Sequence, residues 1–409
     1  LSKVPFPIDF THATFKDVAN FRGAAFHEPT LFRDVTFANN AGFKSVRFYD
    51  HVSFLTADFE DIVMFDDGRF DRDARFQACH CIDLVDFKRS YIGGRLSLDR
   101  IVCNGDIELD DADMTSPPKS ADRPTAAEEF AGQITADKAV VSGRLSFNRI
   151  TTSSEIRIRD ADISKLRLRS PKTDGSTSYV DLCRSTISKG VLTQPIDDES
   201  MTGAVLYDCY RTTLGDVKFY SSEEQTVANR IQFLRTKYDG YDFADTDSLE
   251  LKKIDHKIHE FVKDVDTIPC YCNDGSEHSG RYIIDEVVCP THQREQTYAA
   301  LQSTYAYAKN GASAAGDNAS AGAFFYLERV ASRRDQFEIA VSTQEKLGVL
   351  TRLNGLSKWA RSLLLAWTAG YGEHPYRVFV SSLITIVGFG FLYWNSSLVG
   401  SSPSIINTL

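Results

Sequence analysis

The sequence predicts a mainly β chain that turns α: a β-solenoid first, then a helical connector, then one transmembrane helix. Three observations carry this. Phe stands at positions 10, 15, 21, 26, 32, 37, 43, 48, 54, 59, 65, 70 and 76, at steps that alternate five and six. A small or β-branched apolar residue precedes most of these by two: Ala13, Ala24, Val35, Ala41, Val46, Val52, Ala57, Val63, Ala74, Val85. An apolar run, Tyr376 to Trp394, lies near the C-terminus with a single charge at its start.

Periodicity is read before secondary structure. The Phe series continues as Cys81, Phe87, Ile92, Leu98, Cys103, Leu109 and Met114 without a slip. An α-helix would put the residue two before each Phe on the opposite side, whereas in a strand residues i and i−2 share a face and the one between points out. Each short unit therefore supplies two inward side chains. Asn39, Asn40, Asp66, Asp67 and Gly68 suit the corners between units. The pattern resembles the pentapeptide-repeat family, with a five–six alternation in place of strict fives. The resemblance implies a right-handed quadrilateral β-helix, one side per unit, with Phe or Leu stacked along the axis. Four units then make a 22-residue coil, and residues 10–114 about five coils of about 4.8 Å each.

The block Gly94-Arg-Leu-Ser-Leu-Asp-Arg-Ile101 recurs 49 residues later as Gly143-Arg-Leu-Ser-Phe-Asn-Arg-Ile150, and Asp111-Ala-Asp-Met114 as Asp160-Ala-Asp-Ile163. The ladder thus resumes at Phe147, Thr152, Ile158 and Ile163. The stretch 115–137, with Pro117, Pro118 and Pro124, reads as a loop thrown out of the solenoid. Weaker units near Leu182, Ile187, Leu206, Leu214 and Phe219 place the solenoid's end at Tyr220, giving a domain of 1–220. Val227, Ile231, Leu234 and Tyr238 share one helical face, which predicts a helical cap over 221–268 covering the last strand edges, with a second helix at 248–263. A hairpin connector follows over 293–352. Its helices span Arg294 to Lys309 and Ser320 to Arg334, joined by Asn310 to Asn318. It resembles the connector of membrane-bound pentapeptide-repeat proteins.

The best candidate chemical site is Cys270-Tyr-Cys272 with Cys289-Pro-Thr-His292, a putatively separate element at 269–292. Three thiolates and an imidazole form the ligand set of a closed structural zinc site, and Asn273-Asp274-Gly275 gives a turn between the halves. His278 is an alternative ligand, and a disulfide between two of these cysteines the competing reading. All four positions would be filled by protein, so catalysis by the metal is not expected. Cys79 and Cys81 occupy ladder positions and read as core, as does Cys103; Cys183 and Cys209 carry no signal. His256 and His259, three apart beside Glu260, read as a helix surface. No paired nucleophile, acid or base emerges, so the chain is expected not to be an enzyme.

Tyr376 to Trp394 is 19 residues long, enough to span about 30 Å of hydrocarbon, with aromatics at both ends. Arg329, Arg333, Arg334, Arg352, Lys358, Arg361 and Arg377 precede or open the span, and no charge follows it. By the positive-inside rule the solenoid is expected on the cytoplasmic side of the cell membrane, in a single-pass arrangement. Residues 353–375, with Trp359, Trp367 and Leu363 to Leu365 beside Lys358 and Arg361, read as an interfacial helix and linker that contacts membrane lipid. Residues 395–409 read as an extracytoplasmic tail at which the chain is truncated. Gly370-Tyr371-Gly372 is spelled like the selectivity-filter tripeptide of potassium channels, but it precedes the span and is not read as a filter. Gly370 to Val378 resembles the linker before the first span in prokaryotic pentapeptide-repeat proteins fused to a two-span potassium-channel-like module. That resemblance implies the sensory or scaffolding part of an ion-channel-like protein, homo-oligomeric if a channel. A membrane-anchored interaction scaffold without transport, meeting protein partners through solenoid faces, is the alternative. A formal charge of -10 argues against a nucleic-acid partner.

Overall fold

The structure, a computed structural model, describes residues 7–115, 132–152, 155–172, 177–195, 204–220, 227–243, 251–258, 297–341, 349–372 and 375–395. They fall into two compact units: residues 1–295 with 310–320, and residues 296–309 with 321–409.

The first unit is a parallel β-solenoid with four walls. Wall 1 begins at Ile8–Asp9, wall 2 at Thr14–Phe15, wall 3 at Ala19–Asn20 and wall 4 at Ala25–Phe26; wall 1 then recurs at Thr30–Leu31. Partners in wall 1 run Ile8, Thr30, Val52, Ala74, Leu96, each 22 residues on. The next step, Leu96 to Ile134, is 38, which is 22 plus an insertion of 16. The predicted loop is therefore shorter than 115–137, since Ile134–Thr135 already forms wall 1; its residues 116–131 lie outside the described residues. Later steps are 22 (Ile134 to Ile156), 24 (to Val180), 27 (to Tyr207) and 24 (to Ile231). Nine steps join the ten strands of this wall, giving about nine turns.

The alternation of five and six has a local cause. In each five-step the residue two after the inward ring has positive φ: His12 (63°), Asp34 (52°), Ser45 (53°), Thr56 (57°), Asp67 (56°), Ala78 (55°), recurring every 11 residues. The next N–H bonds back to the ring's carbonyl, as Ala13 to Phe10 at 2.9 Å and Ala57 to Phe54 at 3.0 Å. Positive φ at the third turn position is the mark of a type II turn. Such a conformation costs a non-glycine residue roughly 1–2 kcal/mol. The same residue's N–H, however, donates into the next coil, as His12 to Arg33 (2.9 Å) and Ala78 to Asp99 (2.8 Å). Tight corners thus alternate with wider, six-step ones.

Inside, the rings form four stacks. Phe10, Phe32, Phe54 and Phe76 stack at 4.8, 4.8 and 4.7 Å; Phe21, Phe43, Phe65 and Phe87 at 4.9, 4.8 and 5.0 Å. Phe15, Phe37 and Phe59, and Phe26, Phe48 and Phe70, make the other two. Rings of different stacks meet edge-on, as Phe54 with Phe65 at 74°, so each satisfies both favourable aromatic geometries. The two blocks 49 residues apart differ by 33 once the 16-residue insertion is removed, which is one and a half coils. Leu96 accordingly lies in wall 1, while Leu145 pairs with Ile107 of wall 3. The first glycine of each block meets the backbone of the preceding coil: a Cβ on Gly94 would lie 2.5 Å from Arg72 C, and one on Gly143 2.2 Å from Gly105 O.

Two expectations are corrected. The solenoid does not end at Tyr220, and Val227 to Tyr238 is not one helix. Ile231–Gln232 pairs with Tyr207 and Asp208, and Lys237–Tyr238 pairs with Thr213 and Leu214, after a short 3-10 turn at Val227–Arg230. The reason is the ladder itself: Phe233 to Tyr238 is another five-step, with Arg235 at φ 55° in its corner and Thr236 N–H on Phe233 O. Spacings of four, three and four fit a helix, but here they fall on a coil. Of the predicted helix at 248–263, the described part is a 3-10 turn, Leu251–Ile254, and Ile258, whose carbonyl accepts the Phe233 N–H.

Four helices follow: α1 Tyr298–Ala314, α2 Asn318–Val341, α3 Val349–Ala369 and α4 Pro375–Asn395. The connector helices run longer than predicted, so only Ala315 to Asp317 separates α1 from α2. In the second unit α1 meets α2 through Lys309 and Glu328 (2.7 Å) and through Tyr305 and Phe324. Helix α3 lies antiparallel to α2: Tyr326 meets Tyr371, Phe337 meets Trp359, and Gly355 comes against Gln336 O. Positive φ at Gly370 (53°) and Tyr371 (57°) turns the chain into α4, with Pro375 at its first position, where a missing N–H costs nothing. Contact between α3 and α4 includes the Arg377 guanidinium on Ala366 O (3.3 Å) and Ser381 Oγ on Thr368 O (3.1 Å).

Candidate functional site

Cys270, Cys272, Cys289 and His292, with the alternative His278 and with His259, lie outside the described residues. The solenoid cysteines are placed. Cys79, Cys81 and Cys103 are buried and face inward, Cys81 directly beside Cys103 in wall 2. Burial pushes the Cys79 thiol up to about 12, and it donates to Phe54 O at 2.8 Å. The Cys81 thiol is raised by its hydrogen bond with Cys103 and by burial. Thiols held protonated in this way are poor nucleophiles.

The cluster that the sequence did not announce is on wall 1. Its outward column reads Ser97, Thr135, Arg157, Asp181, Asp208, Gln232, and all six are buried. Buried polar groups need partners. Gln133 Nε2 donates to Glu155 Oε2 at 2.7 Å; Arg159 Nε donates to Asp181 Oδ2 at 2.6 Å; the Tyr179 hydroxyl donates to Asp208. Asp181 and Asp208 also accept the N–H of Cys183 and of Tyr210. Ligand atoms of Asp181, Cys183 and Asp208 lie within 4.8 Å of one another, a spacing that suits a metal. Both carboxylates are nevertheless already engaged by protein donors, and their evident work is to lock neighbouring coils in register. Coil lengths of 24 and 27 bring Asp181 and Asp208 together, and no 22-residue rule finds that.

Glu155 is the titratable member. Burial first, then the charge of Asp181, lifts it from an ordinary 4.5 to about 7, against the pull of Arg159 and Arg157. Gln133 Oε1 is buried without a hydrogen-bond partner among the described residues, so turning that amide over gives a protonated Glu155 an acceptor. The folded state therefore holds a proton that the unfolded chain releases between pH 4.5 and 7. Stability from this group is complete below about pH 4.5 and is lost as pH rises through about 7, by about 3 kcal/mol. Denaturant midpoints at pH 5 and pH 8 should show the fall in the native chain and a much smaller one in Glu155→Gln; equal falls would contradict the assignment.

On the outer corners, charges pair along the axis 22 to 38 residues apart: Arg89 with Asp67, Arg149 with Asp111 and, 24 apart, Arg184 with Asp160, the last two bidentate. The arginine in each pair lowers its carboxylate. Exposed pairs of this kind contribute little stability. What remains on wall 2 is apolar: Val102 and Val140 lie side by side and exposed, near exposed Ile82.

In the second unit, Tyr376–Trp394 has mean hydropathy 1.5 and none of it is buried. Phe379, Ile386, Phe389 and Trp394 are 78, 68, 69 and 81% exposed, so the apolar surface runs round the whole helix. Helix α3 also exposes Leu350, Leu353, Leu364 and Trp367 beside Lys358 and Arg361. No curated protein and no solved structure matches the chain. Residues 10–58, the opening coils, match the family described as Pentapeptide repeats (9 copies).

Proposed function

We propose that the chain is a membrane-tethered interaction scaffold, with the solenoid as the surface for protein partners and α4 as its anchor. A pentapeptide-repeat solenoid supports a scaffold or interaction role. The observation that carries the tether is the exposure of α4, since a helix apolar on all sides is at home in a protein core or a bilayer and here lies in no core. Arg352, Lys358, Arg361 and Arg377 precede or open the span and no charge follows, which favours a cytoplasmic solenoid. The test is flotation of the full chain with neutral phosphatidylcholine vesicles at high salt. The proposal expects it in the vesicle fraction; recovery in the soluble fraction would refute it.

A second reading makes the same chain the sensory or scaffolding portion of an ion-channel-like assembly, homo-oligomeric through its span. The turn at Gly370 and Tyr371, which directs α3 into α4, favours it as the linker such an assembly requires. Ion flux across the same vesicles separates the two readings. Cys270, Cys272, Cys289 and His292 are further proposed as ligands of a structural zinc. Zinc per chain should fall from about one to none in the Cys270→Ser, Cys289→Ser double variant; an unchanged ratio would reject this ligand set.

A further inference from the structure

Helices α2 and α3 enclose a groove of about 780 Å³ between them. Helix α2 contributes Arg329, Ser332, Arg333 and Gln336, at spacings of three, four and seven that define one helical face. Helix α3 contributes Lys358, Arg361, Ser362 and Leu365 at the same spacings. Four cations therefore line one groove. Among the described residues no carboxylate is ion-paired with Arg329, Arg333, Lys358 or Arg361; Glu328, next to Arg329, is taken by Lys309. The carboxylate nearest in sequence, Asp335, accepts a bond from Gln336 Nε2 at 3.4 Å. The floor is polar, with Ser362 Oγ 2.7 Å from the Tyr371 hydroxyl, and the flanks are Phe325, Leu365 and Ala369.

We infer that this groove binds the phosphate-bearing headgroup of an anionic phospholipid. Converging guanidinium forks match phosphate oxygens, and hydroxyl and amide groups among them complete a donor set. Its volume exceeds what a bare phosphate fills. The apolar flanks suit the glycerol and first methylenes of a lipid, and the groove reaches Ala369 and Tyr371, where the chain turns into α4. A free phosphate ligand would need neither feature. The inference rests on the membrane-tethered reading, and adds a headgroup site to it.

Full chain in neutral detergent, analysed by native mass spectrometry, tests it with phosphatidylglycerol, phosphatidylcholine and inorganic phosphate as probes. The native chain should retain phosphatidylglycerol over phosphatidylcholine by about tenfold or more, as two to four surface cations would give. An Arg333→Gln, Arg361→Gln variant should lose most of that preference, while a Lys16→Gln, Arg22→Gln variant on the solenoid keeps it. Equal retention by the groove variant and the native chain would overturn the site. Inorganic phosphate displacing the lipid at equal concentration would overturn the lipid as its ligand. Both groove variant and native chain should still float with phosphatidylcholine vesicles, so loss of flotation marks failure of the tether and loss of preference alone marks failure of the site.

Discussion

Phe65→Ala should lower stability by about 3–5 kcal/mol, the usual loss for a fully buried aromatic cut back to a methyl. Phe65 is inaccessible to solvent, stacks on Phe43 at 4.8 Å and Phe87 at 5.0 Å, and meets Phe54, Phe70 and Phe76 edge-on or tilted. The walls around it are hydrogen-bonded into the coils above and below and cannot collapse into the space. In a solenoid each coil is held only by its neighbours, so a weakened middle coil uncouples both sides. The β-sheet circular dichroism should melt roughly 10 °C lower. Phe15→Ala, in the half-buried first coil, should cost much less. Equal effects at the two positions would show that the stacks do not hold the solenoid together.

Ile386→Arg with Phe389→Arg should release the chain from neutral vesicles. Each arginine at the centre of a span costs about 2.5–3.5 kcal/mol, so the pair should reduce vesicle binding by roughly three orders of magnitude or more. Both side chains are exposed and touch no core, so the thermal melt of the solenoid should stay where it is. A loss of binding accompanied by an unchanged melt identifies α4 as the anchor. Retained binding would move the anchor to α3 and its cationic face.

The solenoid was legible because its core is built from one repeated residue at a fixed step: Phe at five and six, with the small partner two before. The corner conformation behind that step was not legible, since His12, Asp34, Thr56 and Ala78 share no side-chain chemistry and are united only by positive φ. The ladder was lost after Tyr220 because its inward residues diversify to Cys209, Leu214, Phe233 and Tyr238 and coil length drifts from 22 to 24 and 27. The spacing of Val227, Ile231, Leu234 and Tyr238 then imitates a helix. The same drift hid the wall 1 network, because Asp181 meets Asp208 only at a 27-residue step. The basic groove was half visible. Its cations stood out as a run before the span, but that α2 and α3 set them face to face follows from the antiparallel packing of Tyr326 on Tyr371 and Phe337 on Trp359.

Alkaline carbonate extraction of membranes carrying the full chain tests the membrane tether most directly, because it strips proteins held by surface charge and leaves those held by a spanning helix. The chain should remain with the membrane pellet. Its release into the supernatant would contradict a tether through α4.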